Sequence, residues 1–109
     1  MLVVPQPSAD VRALVVPHAG YVYSGAVAGK AFANLDGDNL RRVILLGPSH
    51  HRAYAGGALP GRGVESFSTP LGELAVDRRA IESLRRNVDF KGPPEAHGPE
   101  LSLAMELPF

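Results

Sequence analysis

Three of the chain's four histidines stand where short apolar runs break into turns. Ala13 to Val16 closes on Pro17-His18-Ala19-Gly20-Tyr21, and Val43 to Leu46 closes on Gly47-Pro48-Ser49-His50-His51. A neutral imidazole is a common ligand for iron, copper or zinc, and two imidazoles on neighbouring strand ends come within reach of one ion. His50 and His51 are adjacent, so one of them is expected to enter a pocket while the other turns aside. Two ligands do not complete a site, because facial and tetrahedral arrangements need a third donor. His97, Glu100 and Glu106 are candidates, and no spacing singles one of them out. Position alone is equally compatible with His18 as a turn residue that bonds its neighbours, and a histidine in a Pro-rich connection such as His97 is more often a surface residue.

Other chemistry is less well supported. Ser49 precedes His50, yet a Ser-His dipeptide does not bring the hydroxyl to the imidazole nitrogen in nucleophile geometry. The stretch from Gly56 to Gly63 lacks the Gly-Lys-Ser/Thr ending of a phosphate loop and reads as a flexible loop. Tyr21 or Tyr23 could donate a phenolic hydrogen bond to a bound anion, although packing is the commoner role.

The elements that must position these residues follow from hydrophobic patterning. Residues 1 to 10 read as a flexible lead-in, and residues 11 to 109 as a single domain. Val11 to Val16 is a nearly continuous apolar run of the kind buried on both faces of a parallel sheet. Ser24 is the expected N-cap of a helix carrying Val27, Ala28, Ala31, Phe32 and Leu35, with Gly37 as its stop. Val43 to Leu46 then forms a second strand, parallel to the first, so that both histidine turns lie at strand carboxyl ends, where open α/β sheets hold ligands. The expected class is α/β, a mostly parallel sheet with flanking helices. Further on, a weak strand is expected around Ala58-Leu59, a compact turn at Phe67 to Gly72 and a brief strand at Glu73 to Val76. Asp77 should cap an amphipathic helix with the stripe Ala80, Ile81, Leu84 and Val88, and Glu100 to Leu107 has helical spacing.

Composition narrows the partners. The 109 residues balance 11 basic against 11 acidic side chains, which argues against an electrostatic grip on nucleic acid or an anionic membrane and favours a small molecule or peptide. Cysteine is absent, so the chain offers neither a disulfide nor a thiolate ligand. No apolar run approaches the roughly 20 residues of a membrane span, and the opening Met1-Leu2-Val3-Val4-Pro5 is too short for a signal-peptide core. A cytoplasmic location is the expectation.

Four ordered motifs extend this reading: Pro17-His18-Ala19-Gly20-Tyr21-x-Tyr23-Ser24-Gly25; Leu46-Gly47-Pro48-Ser49-His50-His51; Thr69-Pro70-Leu71-Gly72; and Glu100-x-Ser102-Leu103 with Leu107-Pro108-Phe109. From about Val11 to Phe109 the chain resembles the Memo-like proteins, which include AmmeMemoRadiSam system protein B. The resemblance implies part of a fold similar to the class III extradiol dioxygenases, with iron, or alternatively copper or zinc, as cofactor. It implies His18 and His50 as metal ligands and His51 as a pocket neighbour with a catalytic acid or base role. Family members are usually longer, and the resemblance places their remaining ligand, a cysteine in the animal protein, in a part without counterpart here. Leu101 and Ala104 stand where the family motif has histidine and glutamate. The expectation is therefore the amino-terminal part of a metal-binding protein, truncated at its carboxyl end and self-associating, with dioxygenase-like oxidoreductase chemistry only when complete. The alternatives are a non-enzymatic peptide- or anion-binding module, or an inactive truncated paralogue.

Overall fold

The turn at Pro17 to Gly20 runs straight into a helix. In the computed structural model, which describes residues 11–109, helix α1 covers Tyr21–Phe32 with Gly20 as its N-cap. The expected lead-in at residues 1–10 lies outside the described residues. The helix begins earlier than a Ser24 cap would place it, because the Gly20 carbonyl already accepts from the Tyr23 and Ser24 amides at 2.8 and 3.2 Å. Ser24 is buried in the first turn, and its hydroxyl donates back to the Ala19 carbonyl at 2.7 Å. A serine bonded backwards in this way satisfies itself locally instead of capping. At the other end the Asn34 side chain donates to the carbonyls of Lys30 and Ala31 at 2.8 and 3.2 Å. The Asn34 backbone amide also donates to the Ala31 carbonyl at 3.1 Å, an i to i+3 bond, so the helical ladder gives way before Leu35. Gly37–Asn39 forms a separate 3-10 turn.

The described residues fall into two compact units, residues 11–46 with Phe109, and residues 47–108. In the first, the Phe109 ring stacks on Phe32 at 5.2 Å and meets Tyr21 edge-on at 6.0 Å. The two apolar runs do not pair: neither Val11 to Val16 nor Val43 to Leu46 is a strand, and Val15 is 101 % exposed. The expected parallel sheet is thus absent among the described residues. The physical reason is that an apolar run becomes a buried parallel strand only where neighbours take its N–H and C=O groups and cover both faces. No described strand does so for either run.

In the second unit, β1 (Ser66–Thr69) and β2 (Gly72–Ala75) form an antiparallel hairpin with Phe67 opposite Leu74. The turn is narrower than the six residues expected. Thr69 Oγ1 accepts from the Leu71 amide at 3.1 Å and donates to the Gly72 carbonyl at 2.9 Å, so Phe67 and Ser68 are left to the ladder. Helix α2 covers Arg78–Leu84, capped as expected by Asp77, whose Oδ1 accepts from the Ala80 amide at 2.9 Å. Ala80, Ile81 and Leu84 are partly buried, whereas Val88 lies beyond the helix and is exposed. Arg85, the C-cap, donates to the Pro60 carbonyl and pairs with Glu82, which also holds Arg62. The weak strand at Ala58 reduces to one parallel bridge to Gly92, and residues 102–108 form successive turns without a regular helix. The class is accordingly a small α/β arrangement of helices and one antiparallel hairpin among the described residues. None of their helices is long and apolar enough to cross a membrane.

Candidate metal-ligand site

Within the second unit, two of the sequence motifs are laced together. The Glu100 carboxylate reaches His50 twice: Oε2 accepts from the His50 amide at 2.6 Å, and Oε1 lies 2.9 Å from the His50 ring nitrogen Nδ1. Oε1 also accepts from the Ser102 amide at 3.1 Å, and the Ser102 hydroxyl donates to the Pro48 carbonyl at 3.2 Å. Gly47 permits this closeness. A Cβ there would stand 2.8 Å from Leu103 Cδ2 and 2.9 Å from Ser102 Oγ, nearer than side chains pack.

The electrostatics favour an ionised carboxylate. The His50 backbone bond, then the His50 ring contact, and less strongly the Ser102 amide and hydroxyl hold Glu100 well below its ordinary value of 4.5, against desolvation that acts the other way. The Glu100 side chain is only 9 % exposed while the His50 side chain is 53 % exposed. A largely covered carboxylate thus anchors a half-exposed ring. Carboxylates placed behind histidine in this manner orient metal ligands and raise their basicity.

The other candidates have different engagements. His97 is turned to the Ala58 carbonyl through Nε2 at 3.1 Å, a bond that ties the 3-10 turn Pro94–His97 to the 58–92 bridge. His51 is exposed beside His50, and Glu106 is buried among the turns after residue 101. Ser49 donates to the Arg52 carbonyl at 2.7 Å, which closes the loop. His18 belongs to the first unit, partly buried just ahead of α1. Among the described residues no three His, Cys, Asp or Glu side chains gather into a group that could hold a metal ion. The His50 imidazole is a donor type that metals accept, and its partner in this unit is the Glu100 carboxylate. The sequence named Glu100 without its partner, and Ser102 only as part of a motif, without a role. The spacing Glu100-x-Ser102, which lets a carboxylate accept from an amide two residues on, was the available signal.

The comparisons agree with the motifs. A family model described as Memo-like protein matches residues 2–109. The chain is 41 % identical over 100 residues to Protein memo-1 homolog of Caenorhabditis elegans, covering 90 % of this chain and 28 % of that protein. It is 38 % identical over 99 residues to Protein MEMO1 of Xenopus laevis, covering 90 % and 33 %. A MEMO1 family protein of Schizosaccharomyces pombe is 42 % identical over 80 residues, covering 73 % and 25 %. The chain therefore spans a third or less of the length of these relatives. No solved structure matches it. The four motifs, the family model and the relatives agree, and the chain belongs to the Memo-like protein family.

Proposed function

We propose that this chain contributes histidine ligands, His50 and His18, to a non-haem metal site of a Memo-like protein. The observation that supports the reading is the double contact between His50 and the largely covered carboxylate of Glu100. Histidines that ligate metals commonly carry such a partner on the ring nitrogen away from the ion. Iron is the cofactor proposed, with copper and zinc as alternatives. Bound iron would supply Lewis-acid and redox chemistry toward a small-molecule substrate. His18 and His50 would hold it, and His51, exposed beside His50, would move a proton to or from a bound substrate. Dioxygenase-like activity is proposed at the level of the longer Memo-like protein, since this chain spans a third or less of the relatives it matches.

Anaerobic titration with iron(II), alongside copper and zinc, tests the reading. Stoichiometric binding by the wild-type chain that is lost in both His18→Ala and His50→Ala is the expected result. Absence of binding above a micromolar background for all three metals overturns it.

A further inference from the structure

We infer that Glu100 is a positioning residue for His50: it selects the Nδ1–H tautomer of the neutral ring and so assigns Nε2 as the nitrogen that ligates. This deepens the metal-binding reading above and rests on it. An ionised carboxylate has acceptors only, so the 2.9 Å contact between Glu100 Oε1 and His50 Nδ1 requires the hydrogen on Nδ1. In a neutral imidazole the lone pair is then on Nε2, since the bond made by one ring nitrogen decides the state of the other. The carboxylate is itself fixed. Its second oxygen accepts from the His50 amide at 2.6 Å and its first also accepts from the Ser102 amide at 3.1 Å. A rotation of Glu100 that released the ring would give up both backbone bonds as well. The same carboxylate holds the His50 main chain and the His50 ring, so the direction of the ring is set relative to its own backbone. Burial adds to this control, with the carboxylate 9 % and the imidazole 53 % exposed. The orienting group is the more covered of the two, and the ring is half-exposed.

The experiment reads the ring nitrogens of His50 by 15N-edited NMR in the metal-free 109-residue chain, at a pH where the ring is neutral. The wild-type protein should show the Nδ1–H pattern, and Glu100→Leu should shift the ring toward Nε2–H. Ser102→Ala removes the hydroxyl bond to Pro48 and the hydroxyl's weaker effect on Glu100 but leaves the Ser102 amide and both His50 bonds to the carboxylate, so it should keep the wild-type pattern. Iron(II) affinity should fall about 10- to 100-fold in Glu100→Leu, the range typical of lost outer partners of metal ligands. A wild-type ring in the Nε2–H form overturns the assignment, and that measurement stands even if Glu100→Leu does not fold. A wild-type Nδ1–H ring in a chain that binds no iron, copper or zinc supports the role of Glu100 and overturns the metal reading.

Discussion

Glu100 holds His50 at two points, ring and main chain, across a separation of 50 residues. A hydrogen bond to an ionised acceptor is stronger than a neutral one, and here two such bonds meet on one side chain. The consequence is a local lock between the Gly47 to His51 turn and the Glu100 to Leu103 segment, both in the second unit. It is independent of any regular secondary structure, since neither segment is a helix or a strand.

The lock has a pH dependence whose sign follows from the carboxylate. Bonds from the His50 amide, the His50 ring and the Ser102 amide and hydroxyl lower the Glu100 value below its ordinary 4.5. A group depressed on folding contributes stability that is complete above the unfolded value and is lost as pH falls through the folded one. The Glu100 side-chain carboxyl resonance of the metal-free chain should therefore keep its ionised position from neutrality to about the ordinary value near 4.5, and move only at more acid pH. A midpoint at or above the ordinary value would contradict the lock.

Gly47→Ala should weaken it sterically. The new methyl would meet the Leu103 side chain and the Ser102 hydroxyl, and Ser102 is buried and tied to Pro48. Overpacking a core costs about 1–3 kcal/mol, and at exposed Gly47, against side-chain ends, a loss at or below the low end of that range is expected. Urea denaturation should show a measurable loss of about 1 kcal/mol or less, together with a broadened His50 amide signal. An unchanged midpoint would mean that Leu103 yields freely.

Much of this arrangement was legible in the residues, and the part that was not has physical causes. The helix capped by Asp77 was readable because its cap, stripe and end are all local signals. The Ser24 cap was misread because a serine hydroxyl can bond either forward or backward, and here it bonds backward to Ala19. The strands at Val11 to Val16 and Val43 to Leu46 were read from apolar content alone. That content describes a preference for burial, while a strand also needs a partner for its backbone. His50 was singled out by its turn, but its connection to Glu100 joins distant segments, which no periodicity encodes.

Asp77→Ala tests the local end of this scale. The Asp77 carboxylate accepts from the Ala80 amide at 2.9 Å, and loss of such a cap costs about 0.5–2 kcal/mol. Asp77→Asn keeps an acceptor and should retain most of the stability. Thermal unfolding followed by circular dichroism checks both, and equal losses in the two variants would show that charge rather than capping carries the effect.

The first unit predicts the behaviour of the chain in solution. Val15, Val22, Tyr23, Ile44 and Leu46 are exposed, with Val22 at 95 % and Ile44 at 75 %. Soluble monomers rarely leave large contiguous apolar surface in water, and association that covers such residues shifts with concentration by mass action. The 109-residue chain should accordingly self-associate, with an average mass by light scattering that rises with concentration. Charged replacements at these positions, Val22→Glu with Ile44→Lys, should lower that mass without disturbing the second-unit contact between His50 and Glu100, because the substituted residues lie in the other unit. A monomeric mass at every concentration tested, with cooperative unfolding, would overturn the prediction. A mass that stays high in the double variant would place the association elsewhere on the chain.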